Sequence, residues 1–402
     1  MNPLDNVKFE QLTLEDLYKL QEFEYPEGKD IDYKRGITLL KKETEKGKTL
    51  EEHRAEFLYD VTSFANTHGG YLLIGVEEDG EKTIPKSYPG FETHNVDTLQ
   101  QTMENLLQSG ISPRIQGHRI KWLDVAENNK IMVLKIPVSW NQPHMVTYKD
   151  LNRFYARNTS GKYLMDVEEL RNAFNQNSSI TESFIQYRYQ RVAAIQKNEG
   201  VFPLPAGAKL IIHLLPYSFK KEPVLLDLAK LPAQNDKFVP FHQHDEWAMQ
   251  YNFDGVVKFS GSPTDIQSYN QWYRHGGFEV ADAYTLDADY REKLIPHIAF
   301  ERYFIKWLEK SLLLLQEYEI PSPYCLMVSM LGVKDYKIID DRNDRKKIRN
   351  SNLLFPPLMI ADLNLTAEKI LQPIFNWVWN AAGHPQSLNY DESGNWIGDK
   401  KR

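Results

Sequence analysis

One cysteine, Cys325, stands among the 402 residues. That excludes an intrachain disulfide and a zinc site built from several thiolates, and it suits a reducing cytoplasm. No apolar run approaches the ~20 residues that span a bilayer. The opening MNPLDNVKFE lacks a basic segment followed by an apolar one, so no secretory leader is expected and a cytoplasmic location is. Positive charge is not in surplus: the formal net charge is −7, which excludes a basic footprint over the whole molecule. There is no internal repeat. A Walker phosphate loop is missing too, because Gly161-Lys162 has no upstream glycine at the required spacing and is followed by Tyr163.

The apolar content is ordinary, so a chain of this length has room for two cores, at roughly 100–200 residues per domain. The polar stretch Asn175-Gln176-Asn177-Ser178-Ser179 is the best boundary candidate. The expected organisation is a helical lead-in over 1–26, a domain over 27–176 and a second α/β domain over 181–402. Strands and helices are interspersed along both halves, which predicts an α/β (α+β) chain. Charge is uneven. From Ile111 to Lys162 there are nine Lys/Arg against three acids, a local basic excess of the kind that suits nucleic acid.

The stretch Phe64 to Gly80, FANTHGGYLLIGVEEDG, organises the first domain. Residues 55–67 predict a helix with Ala55, Leu58, Val61, Thr62 and Ala65 inward. Asn66 and Gly69-Gly70 are candidates for positive φ, so the chain can reverse there. Residues 71–76 form an apolar run, expected as a strand buried on both faces. Glu77-Glu78-Asp79 then place three carboxylates at its end. Upstream, Glu27 precedes Asp32-Tyr33-Lys34-Arg35, expected on an edge strand that puts Asp32 and Lys34 on one face. Two acids and a lysine so placed read either as a divalent-ion and phosphate site or as a salt-bridge ladder. Downstream, Arg153, Tyr155 and Arg157 alternate along a strand and lead into Asn158-Thr159-Ser160-Gly161-Lys162. They read either as a phosphate and base-stacking face or as a cross-strand packing face.

In the second half, strands are expected over 209–216, 251–259 and 324–331, and helices over 296–317 and 366–381. The tail after Gly383 is expected to fray. Three features are secondary candidates: the His242-Gln243-His244 loop, Arg274 and Glu279 beside a His275 turn, and the charged run from Arg342 to Arg349.

Taken together, Glu27…Asp32-Tyr33-Lys34, FANTHGG, LLIGVEEDG, IPVSWNQPH and RFYAR-NTSG resemble, in order, the AlbA_2 domain of the Schlafen family over about residues 25–175. The resemblance implies a mixed-sheet, nucleic-acid-binding domain. In ribonuclease members, three carboxylates bind a divalent ion, Mg²⁺ or Mn²⁺, and the enzyme cleaves tRNA or rRNA. Carried over, those acids are Glu27, Asp32 and Glu78, with Lys34 at the phosphate and Arg35, Arg153, Tyr155, Arg157 and Lys162 on the nucleic acid. Asp32 stands where the family has Glu, and Glu78 where it has Asp. The resemblance thus implies a metal-dependent endoribonuclease acting on tRNA or other structured RNA, with a role in anti-phage defence and a homodimer supplying a second wall. A non-catalytic DNA- or RNA-binding regulator or adaptor is the alternative.

Overall fold

The glycine pair after the first long apolar helix sets the layout of the N-terminal half. In the computed structural model Gly69 has φ +68°, and a Cβ there would lie 2.6 Å from the Ile136 carbonyl oxygen. A Cβ on Gly70 would lie 2.4 Å from the Asp30 carbonyl oxygen. The two glycines therefore let backbone pack on backbone from both sides. Asn66, by contrast, stays in helical geometry, so it serves the turn through its side chain and not through its φ.

The structure describes residues 2–7, 9–40, 49–93, 95–139, 141–220, 226–231, 236–242, 247–262, 265–287, 292–338, 346–361, 363 and 365–398. It divides into two units, Met1–Ile180 and Thr181–Arg402. Helices and mixed or antiparallel sheets make it an α+β chain.

In the first unit, α1 (Leu14–Glu22) starts at a Thr13 capping box. β1 (Ile31–Lys34) follows, then α2 (Leu50–Ala65), β2 (Gly70–Ile74), β3 (Glu77–Glu78), β4 (Pro85–Ser87) and β5 (Phe91–Glu92). Next come α3 (Val96–Gly110), β6 (Ile111–Ser112), β7 (Arg119–Asp124), β8 (Asn129–Ile136) and β9 (Met145–Val146). β10 (Arg153–Asn158), β11 (Gly161–Leu164) and α4 (Val167–Gln196) complete the series. β1 is an edge strand of a mixed sheet in the order β1-β2-β8-β5, with β7 also on β8. It pairs in parallel with β2, Asp32 opposite Leu72 and Lys34 opposite Ile74. β2 is buried on both faces, as its unbroken apolar run predicts. Leu72 and Ile74 pack with α2 and α3, while Tyr71 and Leu73 pack with Leu17, Leu20 and the lead-in. A second sheet, β11-β10-β9-β6, covers the other side of α2, which is thus packed between two sheets.

The division between the two units, at Ile180/Thr181, lies beside the polar stretch 175–179, and a single helix, α4, runs through that stretch. Asn and Ser are poor helix formers but not helix breakers.

In the second unit, β12 (Lys209–Pro216), β13 (Trp247–Asn252), β14 (Gly255–Ser262), β15 (Asp265–Tyr273), β16 (Phe278–Asp282), β17 (Tyr324–Leu331), β18 (Asn352–Leu354) and β19 (Leu358–Ile360) form one antiparallel sheet. The expected strand over 251–259 is really a hairpin, turning between β13 and β14 at Phe253-Asp254. α5 (His297–Glu317) and α6 (Ala367–Ala381) bury one face of this sheet. Val192 and Ile195 of α4 pack on the other.

The tail after Gly383 does not fray. Glu301, buried on α5, accepts hydrogen bonds from Trp379 Nε1 (2.9 Å), Ser387 Oγ (2.8 Å), Asn389 Nδ2 (2.9 Å) and Trp396 Nε1 (2.7 Å). Glu279 is also corrected as a surface contact. It is fully buried and held by Arg191 at 2.6 and 2.8 Å, by His213 at 3.2 Å and by Tyr269 at 3.0 Å. His275 sits in a turn with its ring stacked on Tyr273. His242 is buried against Tyr284, and residues 243–246 of that loop lie outside the described residues. So do residues 41–48 and, in the charged run, 339–345. No helix among the described residues is long and apolar enough to cross a membrane.

Candidate nucleic-acid site

Backbone hydrogen bonds bring three separated acids to the end of β1. The Lys34 carbonyl accepts from Gly75 N at 2.7 Å and Val76 N at 3.1 Å, which hooks the acidic turn onto that strand. Glu27 N donates to Thr83 O at 2.8 Å, tying the first acid to the loop beyond that turn. Glu27 Oε1 in turn accepts from Tyr33 N at 2.7 Å.

Asp32 is buried at the centre of the group. Its Oδ1 accepts from Lys34 Nζ at 2.6 Å and its Oδ2 from Arg157 Nη1 at 2.7 Å. Arg157 is buried as well. Its Nε donates to Gly28 O at 3.0 Å, and its guanidinium lies 4.2 Å from the centre of the Phe64 ring. A second pair lies alongside, in which Lys162 Nζ donates to the buried Asp60 Oδ1 at 2.6 Å. β10 and β11 are thus fastened to β1 and α2 by two ion pairs.

The two acids of the first motif differ in protonation. Burial, together with the hydrogen bond to Asp32 and the negative charge there, pushes the Glu27 carboxyl up to about 8. Burial also acts to raise Asp32, but the hydrogen bond from Glu27 and the charges of Lys34 and Arg157 outweigh it and hold Asp32 at about 2. Of the two, Glu27 is the one that carries the proton. Burial raises Asp60 against the opposing charge of Lys162. Glu78 is raised by burial; Lys34 opposes that shift and Asp32 adds to it, so this exposed acid shares the field of the cluster. For Lys34, burial acts to lower the ammonium, but the charges of Asp32 and Asp60 and the hydrogen bond to Asp32 prevail and raise it.

The remaining expected site residues are placed differently. Arg35 points to Glu77, Nη1 to Oε1 at 2.7 Å, on the exposed rim. Arg153, Tyr155 and Arg157 do share a face of β10, but most of that face is covered by α2. Tyr155 is buried with its ring 4.2 Å from Tyr59, and only Arg153 is exposed. The basic excess of 111–162 is largely neutralised by acids from elsewhere. Five of its nine cations, Arg119, Lys135, Lys149, Arg157 and Lys162, are ion-paired with such acids, and Lys130 pairs with Asp124 of the same stretch. Arg114, Lys121 and Arg153 have no carboxylate partner among the described residues.

Two residues have roles in the site that the sequence did not indicate. Asp60 is one, and its signal is an acid bracketed by Phe57 and Phe64 at helical spacing on an apolar helix. Asn66 is the other. Its amide donates to His144 O (2.9 Å) and Tyr155 O (2.8 Å) and accepts from His144 N (2.6 Å). It joins the FANTHGG turn to the QPH and RFYAR segments.

A divalent ion needs several carboxylate oxygens free to face one point. Here both oxygens of Asp32 are engaged by cations, Oδ1 by Lys34 and Oδ2 by Arg157. Among the described residues, no group of three or more His, Cys, Asp or Glu is disposed to hold a metal ion. As arranged, Glu27, Asp32 and Glu78 do not fit the ion that the resemblance implies.

No curated protein matches the chain. One similar solved structure is a protein from Corynebacterium diphtheriae, with 17% identity over 38% of this chain and a TM-score of 0.24. The match spans 27% of that protein's length. Another is the N-terminal domain of a protein described as related to the ATP-dependent DNA helicase RecG, from Nitrosomonas europaea. It has 16% identity over 37% of this chain and 89% of that one, with a TM-score of 0.27. Residues 27–166 match the family described as Schlafen, AlbA_2. These are the residues whose motifs meet around Asp32, Asp60 and Asn66, and the N-terminal part of this chain carries a Schlafen AlbA_2 domain.

Proposed function

We propose that this domain binds nucleic acid without cutting it, with structured RNA such as tRNA as its ligand and the chain serving as a regulator or adaptor. The observation that carries this reading is the double pairing of Asp32 by Lys34 and Arg157. It makes the acid a structural anchor for β10 and leaves the Lys34 ammonium partly exposed at the strand end. Phosphate contact then falls to Lys34 and to the exposed cations with no carboxylate partner, Arg153 and Arg114. Binding of this kind is electrostatic and weakens with salt.

The test is mobility shift and anisotropy of the full chain with total tRNA and with duplex DNA, in EDTA, Mg²⁺ or Mn²⁺, followed by denaturing gels. Salt-sensitive binding, equal in EDTA and in metal, with intact RNA, is the expected result. Absence of binding at low salt overturns it.

Metal-dependent endoribonuclease action is the second reading. The convergence of Glu27, Lys34 and Glu78 at one strand end favours it. It predicts RNA fragments in Mn²⁺ or Mg²⁺ that disappear with Glu27→Ala and with Glu78→Ala. A homodimer enclosing the ligand belongs to either reading, and sedimentation with and without RNA tests it.

A further inference from the structure

The disagreement between the carboxylate cluster and a metal ion has a physical cause in one side chain. One acid, Asp32, touches the Lys34 ammonium, at 2.6 Å. Three more, Glu27 of the lead into β1, Asp60 of α2 and Glu78 of β3, act on it through charge. Carboxylates gathered in a partly desolvated place, as Asp32 and Asp60 are, need a cation among them. In this chain the cation is covalently tethered two residues from Asp32, so its effective concentration at the site is high and independent of the solution. Arg157 meanwhile engages the other oxygen of Asp32 from the protein interior. A divalent ion would have to displace an ammonium from Oδ1 while Oδ2 stays bound to a buried guanidinium.

We propose that the Lys34 ammonium is the resident cation of this cluster, and that a divalent cation binds there only once that ammonium is removed. The inference concerns the site of the proposed nucleic-acid contact but does not depend on that contact. A chain that fails to bind RNA leaves the metal measurement untouched, and the reverse also holds.

The test is Mn²⁺ binding to the full chain, read from the electron paramagnetic resonance signal of the free aqueous ion, without nucleic acid. The wild-type protein and Lys34→Arg leave the Mn²⁺ signal at its buffer value. Lys34→Met removes about one equivalent of Mn²⁺ per chain, since a hard divalent ion can then take the freed Asp32 Oδ1 together with neighbouring carboxylate oxygens and water. Adding Asp32→Asn to Lys34→Met returns the signal to its buffer value. Circular dichroism melts establish that each variant is folded, and Lys34→Gln replaces Lys34→Met if the latter is not. Two results overturn the proposal. One is a stoichiometric Mn²⁺ site in the wild-type protein that Asp32→Asn abolishes. The other is a folded Lys34→Met or Lys34→Gln that binds no more Mn²⁺ than wild type.

Discussion

Arg157 is the residue on which most of the site depends. It is buried, it neutralises Asp32, and it fastens β10 to the Gly28 carbonyl beside β1. Removing one partner of a buried ion pair leaves the other charge uncompensated. Arg157→Ala should therefore cost about 3–5 kcal/mol in urea unfolding, far more than Arg153→Ala at an exposed position on the same strand. Glu27 gives a pH signature. Folding raises its carboxyl from an ordinary 4.5 to about 8, so the native state holds a proton that the unfolded chain releases across that interval. Stability falls as pH rises through it. Asp32 works in the opposite sense: its lowered carboxyl stabilises above the ordinary carboxylate range, and that contribution is lost only as pH falls towards about 2. Urea midpoints compared at about pH 5 and about pH 8 should drop for wild type, and the drop should shrink in Glu27→Gln.

Among the elements, the C-terminal segment has the most specific anchor. Residues 384–398 close over α5 and α6, and four neutral donors converge on Glu301. No cation is among them, so the carboxylate is stabilised by hydrogen bonds alone, and burial raises it. Glu301→Ala strands two indole N–H groups, an amide and a hydroxyl. A loss of about 2 kcal/mol or more is expected, given the cost of buried unsatisfied donors. Chymotrypsin should cut at Tyr390 and Trp396 before any other site in that variant, and mass spectrometry of the first fragments checks it. In the N-terminal unit, α2 is the corresponding element. Its apolar positions bury against both sheets, and its one deeply buried acid, Asp60, receives Lys162. A helix read only for its apolar stripe gives no reason to place a carboxylate there.

For the whole molecule, the balance of charge sets the salt dependence expected of the proposed nucleic-acid contact. An excess of cations in one stretch of sequence suggests a broad basic surface. Folding instead brings Asp5, Glu10, Glu51, Asp32 and Asp60 to five of those cations. Few are left for phosphate. The logarithm of the RNA affinity should therefore fall with the logarithm of salt at a slope no steeper than about −3, as for three phosphate contacts. A slope near −6 would mean that the internal ion pairs open on binding.

By itself the sequence determined α2, β2, several further strands and helices, and the order of motifs that marks the AlbA_2 domain. Those depend on local periodicity, caps and glycine turns, which neighbouring residues specify. β2 buried on both faces, the helix over 55–67 and the 324–331 strand were all legible in this way. Only the tertiary structure decided which charges meet. Arg157 and Asp32 are 125 positions apart, and Lys162 and Asp60 are 102 apart. Nothing local distinguishes a phosphate-binding arginine from one that anchors a buried acid. The same holds for Lys34. Its place two residues from Asp32 is written in the sequence, but its role as counter-cation to acids from α2 and β3 exists only once the parallel β1–β2 pair and the acidic turn bring them to one strand end.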